Sequence, residues 1–223
     1  ADGVAGVIPI SRSGVGDALP LPGLTTDVSP IGRGSMWVVT GAGGPSGDVA
    51  SGQGLPRLSV GPSRTVATLW EFETAENPDG GLIDSNPFDV HSLGGRGALV
   101  ADAAAHALLL ANNQGAVDVV AVFPPEFVST DNLKDLAGCP SLAPFCGFPP
   151  MLPAQAVPTS IAVGPDGIYV GELKGFPAPT NVSNIWRVSP DASAAECGSS
   201  PDCVKVFDGG FTSIIDVAFG PDG

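Results

Sequence analysis

Residues 157–177 read VPTSIAVGPDGIYVGELKGFP, and part of this stretch returns near the end of the chain, where residues 211–223 read FTSIIDVAFGPDG. In both places a β-branched, apolar run leads into a Pro-Asp-Gly turn, as in a strand that enters a hairpin. The two GPDG turns begin at Gly164 and Gly220, which are 56 residues apart. Recurrence at such a spacing indicates a chain built from repeated supersecondary units.

Two earlier segments have the same plan. GRGSMWVVT (32–40) and GRGALVADA (95–103) each place a Gly-rich turn before a strand, as GPDGIYVGEL (164–173) does. The alignment makes the following residues equivalent: Trp37, Leu99 and Tyr169; Val38, Val100 and Val170; Thr40, Asp102 and Glu172. In the strand before each turn, Asp89, Ser160 and Asp216 share one position. Further strand–turn–strand segments follow, so each unit is predicted to have four strands.

Four-stranded units that recur at about 55 to 70 residues, with Gly-rich turns, are typical of propeller blades. We therefore predict an all-β fold, a β-propeller of four-stranded antiparallel blades, with about three blades plus the first strand of a fourth. Two regions are predicted, an N-terminal extension at 1–23 that could supply a closing strand and a partial propeller at 24–223. Within the partial propeller, the blades lie at about 24–81, 84–123 and 157–208, and the next blade starts at 211–223. An inter-blade insertion occupies 124–156. Two short helical segments are expected, one at the start of 69–85 and one near 130–136, where Thr130 or Asp131 could act as the N-cap.

A closed propeller needs about 4 to 8 blades. Three blades and a strand therefore predict part of a longer propeller, with open edges that pair with missing blades or with neighbouring chains. The sequence opens with ADGVAG and has no initiator Met. This start is typical of a mature protein after removal of a signal peptide, or of an incomplete longer sequence.

Composition excludes some classes of partner. The chain has 223 residues, of which 43% are hydrophobic, and a net charge of −14 from 23 acidic and 9 basic residues. So few bases argue against nucleic-acid binding through phosphate neutralisation and against binding to anionic membranes. No apolar run reaches the roughly 18 residues that span a bilayer, so no membrane insertion is expected. The acidity itself favours either solubility or cation binding.

The four cysteines form two local pairs. Cys139 and Cys146 lie in CPSLAPFC, and Cys197 and Cys203 lie in CGSSPDC. Neither pair has the spacing of a zinc knuckle, so two short disulfides are predicted. Disulfides indicate an oxidising compartment, and we expect a secreted or extracellular protein, or a periplasmic one in a Gram-negative host. The sequon NVS makes Asn181 a glycosylation acceptor if the host is eukaryotic.

Several long strings resemble one family. The strings IDSNPFDV, GALVADAAAHALL, VAVFPP, VPTSIAVGPDGIYVGELKGFP and GFTSIIDVAFGPDG are similar to the ScyD/ScyE family, NHL-like β-propeller proteins named after components of scytonemin biosynthesis. The resemblance covers about residues 24–223 and implies a complete propeller of about six blades with an export signal. The chain departs from the family at Thr40, where an acid is common, and at its GRG turns, where GDG is usual.

Candidate ligand positions follow from the propeller prediction. The first strand of each blade lines the central channel, and ligands bind at one mouth of it. The candidates there are Asn86, Asp89, Ser160 and Asp216, and the secondary candidates are Asp102 and Glu172. Carboxylate and amide oxygens suit Ca²⁺ or another divalent cation. The alternative is structural, since the same groups could bond the backbone or tie blade turns together. The GELKGFP loop is also predicted to present Lys174 and Phe176 at the channel mouth.

Three functions remain open. The first is a secreted binding or scaffold module for an unknown small-molecule or protein ligand. The second is an exported enzyme, either a metal-assisted hydrolase or, by the family resemblance, a catalyst of oxidative coupling in pigment biosynthesis. The third is a subunit of an extracellular assembly. The sequence contains no G-x-S-x-G elbow and no phosphate-binding glycine fingerprint, so it leaves enzymatic activity undecided.

Overall fold

The structure is a computed structural model that describes residues 6–21, 24–32, 34–41, 55–58, 64–140 and 144–221. Antiparallel sheets dominate the described residues, which confirms the predicted all-β class. The chain divides into two compact units, Ala1–Val119 and Val120–Gly223.

The first unit begins with four short strands, β1 (Gly6–Val7), β2 (Ile10–Ser11), β3 (Gly14–Val15) and β4 (Leu19–Pro20). Strand β1 pairs with β4, and β2 pairs with β3. The first four-stranded sheet follows, with β5 (Leu24–Gly32), β6 (Ser35–Gly41), β7 (Leu55–Leu58) and β8 (Arg64–Ala67) in chain order.

The second sheet is entered through a helix. Its elements are α1 (Leu69–Glu76), β9 (Pro87–Ser92), β10 (Gly97–Asp102), β11 (Ala107–Asn112) and β12 (Val117–Val122). The strands again lie in chain order, and β12 crosses the boundary between the two units. Helix α1 confirms the helical segment expected after residue 68.

The second unit contains the predicted insertion and the third sheet. The insertion holds β13 (Glu126–Ser129), α2 (Asp131–Leu136) and β14 (Met151–Ala154), and β13 pairs with β14. The third sheet is formed from β15 (Ala156–Gly164), β16 (Gly167–Lys174), β17 (Ser183–Val188), β18 (Ala195–Glu196) and β19 (Cys203–Phe211). Its order is β15–β16–β17–β19, and β18 instead runs parallel to the end of β12.

The first two strands of the three sheets pair in equivalent registers. The residue pairs that lie opposite each other in the first two strands are Val28 and Val38, Val90 and Val100, and Ile161 and Val170. These pairs match the sequence alignment, so the prediction that residues 98–102 and 168–172 are second strands of equivalent sheets is confirmed. Each first strand also carries a β-bulge at the same place, which adds one unpaired residue: Thr26, Phe88 or Thr159.

The bulge residues connect successive repeats. Thr26 Oγ1 donates to the carbonyl oxygen of Pro87 at 2.7 Å, and Thr159 Oγ1 donates to that of Ile214 at 2.5 Å. Pro87 and Ile214 are themselves equivalent, because each lies two residues before an aligned aspartate. The carboxylate of Asp27 adds a further link by accepting from the backbone N–H of Val90 at 3.0 Å.

Apolar side chains fill each unit. In the first unit, Trp37 packs in a cluster with Leu69, Val100 and Leu109, and every residue of β10 is buried. In the second unit, Phe123 and Trp186 are both almost fully buried, with ring centroids 6.1 Å apart. These cores explain why the β-branched and apolar runs of the sequence form strands.

Both predicted disulfides are present, Cys139–Cys146 and Cys197–Cys203, with Cα–Cα distances of 5.5 and 4.6 Å. Helix α2 begins directly after Thr130, so the predicted N-cap position is confirmed. The Thr130 side chain makes no capping hydrogen bond, because its hydroxyl donates to the carbonyl oxygen of Pro149 at 2.7 Å. Across the described ranges, neither helix has the length or the apolar character needed to cross a bilayer.

Candidate binding site

Asp102, a secondary candidate from the sequence, has a clear structural role in the first unit. Its buried carboxylate accepts from Ser85 Oγ at 2.6 Å and from the backbone N–H of Asn86 at 2.7 Å, and also from the backbone of the turn after β10. Burial raises its pKa, and these hydrogen bonds oppose that rise. Asp102 therefore ties the loop before β9 to the end of β10. The neighbouring candidate Asp89 lies in β9 opposite Ala101.

Glu172, the aligned candidate of the second unit, instead bonds side chains of the next strand of its sheet, β17. Its fully buried carboxylate accepts from Asn184 Nδ2 at 2.7 Å and from Trp186 Nε1 at 2.9 Å, and it pairs with Lys174. Ser160 is buried in β15, and its hydroxyl has no hydrogen-bond partner among the described residues. Asp216 is exposed in the segment that follows β19.

The predicted ligand set does not form a metal site of its own in the described chain. Among residues that the structure describes, no three His, Cys, Asp or Glu side chains lie close enough together to hold a metal ion. Asn86 and Asp89 belong to the first unit, and Ser160 and Asp216 belong to the second. The four residues therefore stay predicted ligand contacts.

A cluster of lysine and glutamate residues forms a site that the sequence did not predict. Glu126, at the start of β13, accepts from Lys174 Nζ at 2.5 Å and from Asn184 Nδ2 at 2.7 Å, and it also pairs with Lys205. Lys174 in turn pairs with Glu172, and its side chain is only 1% exposed. Asp208 lies 2.8 Å from Lys205 Nζ. We name Glu126, Glu172, Lys174 and Lys205 the Lys–Glu cluster.

Electrostatics keep the outer part of the Lys–Glu cluster ionised. Burial acts to raise the pKa of Glu126, but hydrogen bonds from Lys174 and Lys205 outweigh it, so the pKa is lowered. Burial likewise acts to lower the pKa of Lys205, but Asp208 and Glu126 outweigh it, so the pKa is raised. Glu126 is thus an anion and Lys205 a cation at neutral pH. A permanently protonated Lys205 lacks the free amine that a lysine nucleophile requires.

Two clefts of the second unit meet at Glu126 and Lys205. The larger, about 440 Å³, is bounded by Trp186 and by the loop of the Cys197–Cys203 disulfide. Lys205 Nζ lies 5.4 Å from the Trp186 ring centroid, within the range of a cation–π interaction. Gly198 turns the loop with φ of +85°, a conformation that favours glycine. We name this space the tryptophan cleft.

The smaller cleft, about 330 Å³, lies on the other side of the same ion pair and is named the asparagine cleft. Amide, carboxylate and backbone groups line it through Asn181, Asn184, Asp208 and Gly209. Phe127 adds an aromatic ring that is 73% exposed. The predicted glycosylation residue Asn181 is itself exposed at this cleft.

Little in the sequence points to this site. Glu126 lies in the predicted insertion, and 79 positions separate it from Lys205. The expectation that Lys174 would be presented at a channel mouth is wrong, because Lys174 is buried between two glutamates, whereas Phe176 is 55% exposed. The available signal was the presence of charge in otherwise apolar runs, one charge each in PPEFVS and CVKVF and two in ELKGF. Such a charge needs a buried partner or an exposed strand face.

The comparisons with protein-family models, with curated proteins and with solved structures found no match to this chain.

Proposed function

We propose that this protein is an exported β-propeller of the ScyD/ScyE type that acts as a binding module. The shared register of three four-stranded sheets supports the propeller, as does the threonine bond that leads from two of the three bulges to the next repeat. The two disulfides support an extracellular location, because such bonds persist in oxidising compartments. The resemblance of the sequence to the family adds the expectation of an export signal.

The proposed ligand site is the pair of clefts that flank Glu126 and Lys205. The observation that carries this proposal is their junction, where one anion and one cation are accessible from both clefts and held in place by the buried ends of the Lys–Glu cluster. Fixed opposite charges beside amides and aromatic rings favour a polar ligand that offers both donors and acceptors. A fixed arrangement binds such a ligand at low entropic cost.

Trp186 provides the reporter for a binding experiment. Its indole N–H donates to Glu172 and its ring borders the tryptophan cleft, so its resonance responds to occupancy of the site. The probes are glucose, N-acetylglucosamine, glutarate and citrate, each titrated at millimolar concentration into ¹⁵N-labelled protein. The proposal expects a saturable shift of this resonance with at least one probe, and its loss in Lys205→Met. No shift with any of the four would contradict this site.

The enzyme alternative needs groups that this site lacks. A metal-assisted hydrolase requires clustered ligands, and within the described ranges no such group of side chains is present. Protonated Lys205 argues against amine nucleophilic catalysis here. The channel candidates Asn86, Asp89, Ser160 and Asp216 stay open as contacts for Ca²⁺ or a ligand. Metal analysis of purified protein, with Asp89→Ala as control, separates these alternatives.

One observation favours the assembly alternative. Strand β19 forms the edge of the third sheet and carries Phe207 and Phe211, which are 55% and 42% exposed. A long edge strand with exposed apolar side chains is a site for pairing with another chain. Light scattering over a range of concentrations tests this function. A mass that rises with concentration and falls again in Phe207→Lys supports it, whereas a constant monomer mass contradicts it.

A further inference from the structure

A buried carboxyl group lies in the first unit without a hydrogen-bond donor among the described residues. Glu73 of α1 is 1% exposed, and neither of its carboxyl oxygens has a hydrogen-bond partner among the described residues. Asn77, one helical turn later, has a buried Oδ1 that also lacks a partner in the described chain. Two buried acceptors in the C-terminal half of α1 and at its C-cap thus lack a donor in the described chain.

The groups around Glu73 are mostly acidic. They come from the end of β10 (Asp102) and from the loop of residues 77–86 (Asp79 and Asp84). His106, in the turn after β10, lies 2.7 Å from Asp79, and burial raises the pKa of Asp84. Burial first, and then Asp102 and Asp79, raise the pKa of Glu73 to about 8. The backbone N–H of Asp84 opposes this rise but lies outside hydrogen-bond geometry.

The buried carboxyl group of Glu73 can be stabilised in these surroundings in two ways. An ionised carboxylate that is buried without a donor is costly, so it binds either a cation or a proton. A metal is the weaker choice, because no three acidic or histidine side chains of the described chain lie close enough together to hold one. A proton converts one carboxyl oxygen into an O–H donor. The unfilled buried acceptor at the end of the same helix is Asn77 Oδ1.

We propose that Glu73 is protonated at neutral pH and donates a hydrogen bond to Asn77 Oδ1, and that alkaline deprotonation releases the loop of residues 77–86, which we name the acidic loop. Asn77 ends α1 in a left-handed conformation with φ of 40° and holds the acidic loop through Nδ2, which donates to the Gly81 carbonyl at 3.1 Å. Ionised Glu73 would both lose its bond to Asn77 and repel Asp79, Asp84 and Asp102.

Release of the acidic loop has a functional consequence. The loop ends at Asn86, whose backbone N–H donates to Asp102 and which is a predicted ligand contact before β9. A charge on Glu73 beside Asp102 would therefore disturb the entry to the first strand of the second sheet. Deprotonation of Glu73 thus makes the predicted ligand contact at Asn86 sensitive to alkaline pH. The clefts of the second unit do not depend on this deprotonation.

The direction of the pH effect follows from the raised pKa. Neutral Glu73 favours the folded chain fully below its unfolded value of 4.5, and this contribution is lost as the pH rises through about 8. Carboxyl ¹³C chemical shifts of glutamate-labelled protein measure the titration directly. The resonance that disappears in Glu73→Gln identifies the group, and its midpoint is expected at about 8. A midpoint near 4.5 would overturn the proposal.

Hydrogen exchange tests the release of the acidic loop. Exchange of the Gly81 and Asn86 amides, corrected for the intrinsic effect of pH, is expected to accelerate by about tenfold or more between roughly pH 7 and pH 9. Glu73→Gln, which keeps a donor and cannot ionise, should abolish this acceleration. Glu76→Gln, an exposed position on the same helix, should retain it.

A third variant tests the partner of the proton. Asn77→Ala removes the acceptor that stabilises neutral Glu73, so the midpoint of the Glu73 titration should fall by about one pH unit. An unchanged midpoint would overturn the assignment of Asn77 as the acceptor. Alkaline release of the acidic loop that persists in Glu73→Gln would overturn the proposal as a whole.

Discussion

The hydroxyl of Thr159 donates to the carbonyl oxygen of Ile214 at 2.5 Å, across 55 positions of sequence. Thr26 makes the same bond to Pro87, one repeat earlier. Each threonine is the extra residue of a β-bulge, so the irregularity of the first strand is also the point at which it binds the next repeat. A bulge that places one side chain in this way serves as a point of contact between repeats rather than being a defect of the sheet.

Loss of this bond should destabilise the second unit. Thr159→Val keeps the shape of the buried side chain but leaves the Ile214 carbonyl without its donor, so the free energy of unfolding should fall by about 1–2 kcal/mol. Urea denaturation followed by circular dichroism measures it. Thr25→Val is the matched control, because the buried Thr25 hydroxyl has no partner among the described residues and its removal should be neutral or stabilising. Equal losses in both variants would contradict the role of Thr159.

The two lysines of the Lys–Glu cluster should differ in their contribution to stability. Lys174→Met leaves the fully buried Glu172 without its cation and should cost about 3 kcal/mol of unfolding free energy. Lys205→Met removes a side chain that is 25% exposed and should cost about 1 kcal/mol or less. Adding Glu172→Gln to Lys174→Met should recover part of the loss. A Lys205 effect as large as that of Lys174 would refute the proposed burial of charge.

Glu126 should make the second unit acid-sensitive. Its pKa is lowered in the folded chain, so its stabilising contribution is present above its ordinary value of 4.5 and is lost as the pH falls through the lower folded value. Glu126→Gln should cost on the order of 2 kcal/mol at neutral pH and progressively less below about pH 4. Thermal denaturation across this range provides the measurement. Asp118→Asn, at an exposed position, is the control. The difference in stability between this variant and the native protein should not shrink in this way as the pH falls.

The Cys197–Cys203 disulfide should support the tryptophan cleft. Both cysteines are buried and close a loop of only six positions, and the chain-entropy estimate for such a loop is about 2 kcal/mol. Cys197→Ala with Cys203→Ala should therefore lower the Tm of the second unit and shift the Trp186 indole resonance. Removal of the Cys139–Cys146 pair should leave that resonance in place. A Trp186 resonance that is unaffected by the first change would show that the loop does not form the cleft wall.

The repeated sheets were predictable because their signals are local. Gly-rich turns and β-branched runs recur at fixed offsets, so alignment of Val100 with Val170 already implied equivalent strands. The short spacings of the cysteines likewise left little choice of pairing. Thr130 was predictable as the N-cap position of α2, but the partner of its side chain was not, because the hydroxyl bonds the Pro149 carbonyl, 19 positions away, instead of the helix backbone.

The candidate site was largely hidden from sequence because it depends on long-range packing. Glu126 meets Lys174 and Lys205 only because β13, a strand of the predicted insertion, lies beside the third sheet of the same unit. The aligned acids were a better guide to structure than to chemistry, since Asp102 and Glu172 both lie at or near the end of a second strand and both accept buried hydrogen bonds.

The repeated register is the claim on which the proposed propeller and the equivalence of its candidate residues depend. Interstrand nuclear Overhauser effects in isotopically labelled protein measure it most directly. The account predicts cross-strand contacts for three equivalent pairs, Val28 with Val38, Val90 with Val100, and Ile161 with Val170. A shift of one residue in any of these pairs, or helical chemical shifts at residues 98–102, would contradict it.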